Sequence, residues 1–528
     1  MTPPLPLSPA RRREFLKTLG AVTAAAALPR SLGAAQPDTS RPNVVFVLAD
    51  DMGVGDLSYL NPDSQISTPN LDRIGREGTY FTDAHSPSAL CTPTRYGILT
   101  GRYCWRTRVT RGVLWGYSRH LIEPERMTVA SLLQGHGYNT AHIGKWHLGM
   151  DMPTRDGQST PLPHSVADQR AYTGDIDWTG RIQNGPTAIG FDHFYGISAS
   201  LDMHPYIYID DDRFVGECTT EQDLLFITRD YRPERYADNT GPAHADFVAE
   251  EVLPVIRERS VDYVRRQSAD NPFFLCMSLT APHIPIVPSA PYVGRSRLGA
   301  YGDFCIEVDE AVGSVLDALD EQGLSENTLV IFAADNGCAP YIGVEEMNEL
   351  GHFPSHIYRG YKSDIWEGGH RIPFLARWPA RIAPGSSSSE TVCLTDLLAT
   401  LASIVGEELP ADAGEDSYDI LPALVGAPYD RPVRQATVHH AGNGAFSIRQ
   451  GPWKLELTPS SGGYGNIDDE EARRRNMPPI QLYDLSADIG ETRNIYDQQP
   501  DVVERMTALL ERYQEGNGSR PGTTGYDR

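Results

Sequence analysis

Asn43-Val44-Val45-Phe46-Val47-Leu48-Ala49-Asp50-Asp51 is an unbroken apolar run, Val44 to Ala49, that ends in two carboxylates. A run with no polar residue at alternate positions has no wet face, so it predicts a strand buried on both sides, as in a parallel sheet. The arrangement recurs at Asn327-Thr328-Leu329-Val330-Ile331-Phe332-Ala333-Ala334-Asp335-Asn336-Gly337. Ahead of that run Val308, Val312, Val315, Leu316 and Leu319 recur at helical spacing. Helix followed by buried strand is the alternation of a layered α/β fold. Ligands of such sheets bind beyond the carboxyl ends of the strands, which is where Asp50, Asp51, Asp335 and Asn336 would project.

Outward from these two runs, Thr140-Ala141-His142-Ile143-Gly144 and Phe273-Phe274-Leu275-Cys276-Met277-Ser278-Leu279 predict further strands. Residues 150 to 240 are rich in Asp, Gly, Pro and Tyr and are expected to run over the end of the sheet and stay out of the core. Pro384 to Ser389 is expected to be an exposed loop. After about residue 430 the pattern changes. Phe446 to Arg449, Trp453 to Leu457 and Gln481 to Leu485 alternate like antiparallel strands with one wet face, and Val502, Met506, Leu509, Leu510 and Tyr513 form one helical stripe suited to pack on them. The expected fold is α/β: a large mixed, mostly parallel central sheet flanked by helices, with a smaller C-terminal antiparallel sheet packed by a terminal helix. The boundaries expected are a leader over 1–35, a catalytic α/β domain over 36–430 and an α+β subdomain over 431–528.

The leader shows Arg11-Arg12-Arg13-Glu14-Phe15-Leu16-Lys17, a short apolar stretch from Leu19 to Leu28 and small residues up to Ala35. It is a signal peptide and not a spanning helix. Arg12-Arg13 followed by Phe15-Leu16-Lys17 resembles the twin-arginine export signal, whose pathway carries folded proteins; a periplasmic or extracellular location and no membrane span in the mature chain are expected. The 528 residues carry 46 Lys plus Arg against 70 Asp plus Glu, a net charge of -24. That field disfavours nucleic acid or an anionic membrane as the main partner, so an anionic substrate needs a local positive pocket. Seven cysteines show no CxxC spacing, hence no zinc or redox motif. Their odd number leaves at least one unpaired, with Cys91 the natural candidate.

Adjacent carboxylates at a strand end repel, and a bound cation is the simplest compensation. An isolated Asp-Asp is ordinarily a pair of solvated loop acids, but here Asp335-Asn336 ends a second buried strand in the same way. Four oxygen donors, with no nitrogen or sulfur among them, make a hard-cation site that suits Ca2+ more readily than Mg2+.

Ser88-Ala89-Leu90-Cys91-Thr92-Pro93-Thr94-Arg95-Tyr96-Gly97-Ile98-Leu99-Thr100-Gly101-Arg102 is the second informative stretch. A cysteine in a turn bounded by proline is ordinarily a small hydrophobe. This segment, however, resembles the Cys-x-Pro-x-Arg signature of the formylglycine-dependent sulfatases, arylsulfatase-like enzymes with the alkaline phosphatase superfamily fold. In them the cysteine is oxidised to an aldehyde after translation. The runs ending at Asp51 and Gly337 resemble the metal-binding segments of the same family. So do Gly144-Lys145-Trp146-His147-Leu148-Gly149, Ala281-Pro282-His283 and Arg359-Gly360-Tyr361-Lys362, in family order. Thr94 stands where many relatives have Ser and keeps the hydroxyl.

The resemblance implies that residue 91 joins Asp50, Asp51, Asp335 and Asn336 around the cation and that a maturation enzyme makes the formylglycine. Arg95 would anchor the aldehyde hydrate, while Lys145, Lys362 and, more weakly, Ser200 would contact sulfate. One hydroxyl of the hydrate would attack sulfur, His283 with Lys362 would protonate the leaving alcohol, and His147 would deprotonate the second hydroxyl. Asp202-Met203-His204-Pro205-Tyr206 follows Ser200 and combines rings with a carboxylate, which suits a sugar. Asp202 and His204 are therefore the expected saccharide contacts, with a 6-O-sulfated galactose or N-acetylgalactosamine type as substrate. Two rival functions share these residues: a phosphonate monoester or phosphodiester hydrolase of the same fold, and a non-catalytic binder of sulfated glycans.

Overall fold

The computed structural model describes residues 41–157, 175–224, 239–428, 431–465 and 467–523, together with the backbone of strands Phe226–Ile227 and Pro233–Glu234. The expected leader, residues 1–35, lies outside the described residues. Thr39–Arg528 forms one compact unit. No helix among the described residues is long and apolar enough to cross a membrane.

In chain order the main sheet uses β1 (Asn43–Ala49), β2 (Thr79–Phe81), β3 (Asn139–Lys145), β4 (His193–Ile197), β5 (Ile209–Asp210), β6 (Arg213–Phe214), β7 (Phe273–Ser278), β8 (Thr328–Ala334), β9 (Phe374–Arg377) and β10 (Ser386–Ser388). Among the described residues these ten strands lie in the order β10-β2-β9-β8-β1-β7-β3-β4-β5-β6. The five from β8 to β4 are mutually parallel, and antiparallel pairings begin at β9 on one side and β5 on the other. Both expected central strands are present, and every residue of β1 and β8 is buried. Burying each large apolar side chain fully contributes about 1.5–3 kcal/mol, which fixes the height of these strands in the core. In their shared register Ala49 faces Ala334, so Asp50 and Asp335 leave the sheet side by side.

Three local expectations need correction. Ser386–Ser388 is not a loop: it pairs in parallel with β2 as an edge strand, held by backbone bonds that a serine run does not announce. Part of the 150–240 region is core, since β4 joins the main sheet and Phe194, Leu201, Tyr206, Ile207 and Ile209 are buried. Its polar residues line the site and its apolar ones fill the space beneath. The third concerns the smaller sheet.

That sheet consists, among the described residues, of β11 (Thr437–His440), β12 (Phe446–Gln450), β13 (Trp453–Glu456) and β14 (Gln481–Asp484), all antiparallel. Val438, Ile448, Leu455 and Leu482 share a core with Met506, Leu509, Leu510 and Tyr513 of the terminal helix Pro500–Glu515, as the stripe predicts. The opposite face is not wet. Lys454 is buried there with its Nζ 2.7 Å from Glu491, 3.3 Å from Glu367 and 3.3 Å from Glu456. The alternation is real, but the polar set faces a buried ion network and not solvent. Tyr103 and Cys393 from the larger region complete the apolar core.

Candidate active site

Four neighbouring parallel strands deliver a polar residue each to one edge: Asp50 after β1, Ser278 at the end of β7, Lys145 at the end of β3 and Asp335 after β8. Gly144 makes the close approach that this needs. Its φ is 118°, and a Cβ there would stand 1.8 Å from the Ser278 carbonyl oxygen. Asp51 (φ 65°), His147 (φ 60°) and Ser363 (φ 77°) occupy the left-handed region that costs non-glycine residues of order 1 kcal/mol or more. The turn at Asp51 answers the splaying a pleat would impose on Asp50 and Asp51.

Cys91 is the first residue of helix Cys91–Thr100, preceded by extended Leu90, and it is 2% exposed. The free N–H groups of this first turn favour negative charge beside residue 91. The Thr94 hydroxyl donates to the Ser88 carbonyl at 3.0 Å, so threonine fulfils a hydroxyl's role there. Burial pushes the Cys91 thiol up to about 11, opposed by Lys145 and Lys362. All seven cysteines are free.

The three cations of the site each meet a carboxylate. Lys145 Nζ donates to Asp50 at 2.7 Å and to Ser200 Oγ at 3.0 Å. Lys362 Nζ donates to Asp51 at 2.7 Å, and Arg95 Nη2 to Asp335 at 2.7 Å. Arg95 Nη1 also donates to the Lys145 carbonyl at 3.1 Å and to Ser278 Oγ. Burial acts to raise the Asp50 carboxyl, but Lys145, His283 and Arg95 outweigh it and hold Asp50 well below the usual carboxylate range. Burial, then Asp50, push Asp335 up to about 7. Two carboxylates so close resist ionising together, and a cation between them removes that resistance.

The oxygens of Asp50 and Asp51, Cys91 Sγ and a ring nitrogen of His283 lie within 4.8 Å of one another. Asp50 Oδ1 and Asn336 Oδ1 are buried with no hydrogen-bond partner, while Asn336 Nδ2 donates to Asp51 Oδ1 at 2.7 Å. Oxygen atoms aimed inward without a donor fit an oxygen-ligated divalent cation.

His147 Nε2–H donates to the Leu114 carbonyl at 2.8 Å, which leaves the buried, unpartnered Nδ1 with its lone pair. Burial, followed by Lys145 and Arg95, keeps this ring neutral, its pKa well below the ordinary value. His283 Nδ1–H donates to the Ile284 carbonyl at 2.6 Å; its Nε2 is 3.6 Å from Asp51, and Ser200 Oγ is 3.2 Å from its Nδ1. Asp202 Oδ1 stands 3.9 Å from His283 Nδ1.

The structure thus gathers Asp50, Asp51, Cys91, Arg95, Lys145, Ser200, Asp202, His283, Asp335, Asn336 and Lys362, with His147 tied to the helix by the Thr92 hydroxyl at 2.9 Å. His204 is placed differently: its ring lies among Tyr117, Tyr206 and Gly241. Ser278 and the Leu114 carbonyl were missed. Ser278 ends a buried run as Asp50 does and could have been found that way, whereas a backbone carbonyl leaves no trace in sequence.

A second cluster, His85, His370 and His439, is also buried. The rings of His370 and His439 stack 3.7 Å apart at 9°. Imidazole ligates in its ring plane, and no ion lies in two such parallel planes, so this cluster is structural.

Residues 42–407 match the sulfatase family model. The chain is 32% identical over 510 residues to an N-acetylgalactosamine-6-O-sulfatase of Bacteroides thetaiotaomicron, covering 90% of this chain and 93% of that relative. It is 33% identical over 509 residues to arylsulfatase A of Homo sapiens, covering 92% and 89%. A solved structure described with the metabolism of multiple glycosaminoglycans by Bacteroides thetaiotaomicron superposes with a TM-score of 0.74 at 30% identity, covering 89% of this chain and 99% of that one.

Proposed function

The chain belongs to the sulfatase family and is a sulfuric ester hydrolase, and from that premise we propose that it desulfates sulfated saccharides through a formylglycine made from Cys91. The observation that carries the reading is the place of Cys91, at the head of its helix with its Sγ within 4.8 Å of Asp50, Asp51 and His283. A buried thiol, pushed up by its burial, is a poor nucleophile while protonated, yet this one stands among groups that bind anions, Lys145, Lys362 and the N–H groups of the helix N-terminus. An aldehyde hydrate at that position supplies two hydroxyls on one carbon. Asp50, Asp51, Asp335 and Asn336, with residue 91, would hold Ca2+, or alternatively Mg2+, which supplies Lewis acidity toward a sulfate oxygen.

The chain's own residues do the rest. Lys145 and Lys362 hold the sulfate oxygens and neutralise their charge. Arg95 fixes Asp335 and orients residue 91. His283, held through Nδ1–H by Ile284 and beside Ser200 and Asp51, would deliver the Nε2 proton of its doubly protonated ring to the leaving oxygen, with Lys362 as the neighbouring acid. His147 Nδ1 takes a proton from the second hydroxyl, its tautomer set by Leu114. Ser200 donates to sulfate, while Asp202 receives sugar hydroxyls.

Relatives named for N-acetylgalactosamine-6-sulfate support a 6-O-sulfated galactose-type substrate. The leader would export the mature protein to the periplasm or beyond, and the 36–430 and 431–528 regions remain our division of the chain. The test is sulfate release from defined sulfated saccharides, 4-nitrophenyl sulfate and an aryl phosphonate, with kcat/KM compared. Preference for the phosphonate, or an aryl ester preferred over every saccharide, overturns the substrate reading.

A further inference from the structure

Tyr464 is a large ring left 49% exposed in a loop whose neighbours Thr458, Ser460 and Ser461 are buried. The loop is anchored. Gln481 Nε2 donates to the carbonyls of Thr458 and Ser460 at 3.0 and 2.9 Å, and the Gly465 N–H donates to Asp364 Oδ1 at 3.1 Å. The Ile365 N–H donates to the Ser461 carbonyl at 2.7 Å. A Cβ at Gly463 would stand 2.3 Å from the Ser363 carbonyl carbon, so only glycine lets this loop of the C-terminal region lie against the turn that follows Lys362.

There the Tyr464 ring meets Tyr341 edge to face, 5.6 Å apart at 88°. Tyr341 is half-buried on the segment after Asp335 and Asn336. The Lys362 N–H donates to the Cys338 carbonyl at 2.8 Å, which sets the segment of Tyr341 beside the sulfate-binding lysine. The pair therefore lies beside the segment of the sulfate-binding lysine, one ring half-buried and the other exposed, and Asp202 stands in the same site 3.9 Å from His283. A pyranose presents C–H bonds on one face and hydroxyls at its rim, so it packs that face on an aromatic ring while its hydroxyls reach a carboxylate.

We infer that Tyr464, braced by Tyr341, is the platform on which a pyranose ring of the substrate packs, with Asp202 receiving that ring's hydroxyls. The inference rests on the saccharide reading above and adds the surface that selects a sugar. It gives the C-terminal region a share in recognition, through a single loop.

The test uses the full chain with Tyr464→Ala and Tyr464→Phe, assayed on 6-O-sulfated N-acetylgalactosamine and inhibited by inorganic sulfate. The alanine variant is expected to raise KM about five- to tenfold with kcat within about twofold, and the phenylalanine variant to stay near the parent. The inhibition constant for inorganic sulfate should not move, because sulfate alone does not reach the platform. An unchanged KM in Tyr464→Ala, or a sulfate constant that worsens in step with KM, overturns the inference. If the parent releases no sulfate from saccharides, the substrate reading fails separately. Calorimetric binding of the same sugar to Cys91→Ala, with and without Tyr464→Ala, then decides the platform: about fivefold weaker binding upholds it, and equal or absent binding overturns it.

Discussion

Arg95 donates through both Nε and Nη2 to one oxygen of Asp335, at 3.1 and 2.7 Å, while the other oxygen accepts the Asp51 backbone N–H at 3.2 Å. The helix that carries Cys91 is thereby locked to the end of β8. Removing one partner of a buried pair leaves an uncompensated charge and costs about 3–5 kcal/mol. Arg95→Met is expected to lower the unfolding free energy by that amount in denaturant titration. Arg95→Lys should recover part of it, because an ammonium makes one bond where the guanidinium makes two. An Arg95→Met variant as stable as the parent would contradict the assignment.

Changing a group that merely supports a metal ligand weakens binding 10- to 100-fold, roughly. Asp335→Ala removes a proposed ligand itself and should weaken Ca2+ affinity by at least about tenfold, with activity falling in step. Metal analysis of the purified protein and activity after chelation and Ca2+ return check this. Full activity in chelated protein would dismiss the cation.

Peptide mass spectrometry should find residue 91 as formylglycine in protein made with a maturation enzyme. Cys91→Ala should keep its melting temperature and lose at least about a thousandfold in kcat. Turnover by protein whose Cys91 is entirely free thiol would refute the mechanism.

Stability should fall in mild acid. Burial, with Arg371, lowers His85 to about 4 despite Glu367 and Asp83, so the folded ring stays neutral where the unfolded one, near 6.5, takes up a proton. Arg449, His370 and His439 face the same ring. A depressed histidine contributes stability in full above pH 6.5 and loses it as pH falls toward 4, here about 3 kcal/mol. Thermal melts from pH 7 to 4.5 should show this slope, and His85→Gln should flatten it. Equal slopes in parent and variant would argue against it.

The central strands were legible because a strand covered on both faces must be apolar throughout, as Val44 to Ala49 is. Asp50 and Asp335 could be set side by side because strand ends of equal pattern share a level. Ser386–Ser388 gave no signal, since an edge strand bonds through backbone alone. Lys454 and Glu456 looked solvated because alternation tells polar from apolar but not what lies beyond the polar face. Lys145, His147 and Lys362 stood out by resemblance only: a lone lysine or histidine has no pattern. The meeting of Tyr341 with Tyr464 joins segments far apart in the chain, and nothing local marks it.

The near-complete burial of Cys91 at the head of its helix bears on when the residue can be converted. An enzyme that oxidises a side chain must enclose it, and in the folded chain the first turn of that helix is closed off by the strand ends around it. On the proposed mechanism, conversion would therefore belong to the interval between synthesis and collapse of the sheet. If the leader uses the twin-arginine route, which carries chains already folded, that interval ends in the cytoplasm, and a host lacking a cytoplasmic maturation enzyme would secrete well-folded protein that is permanently inert.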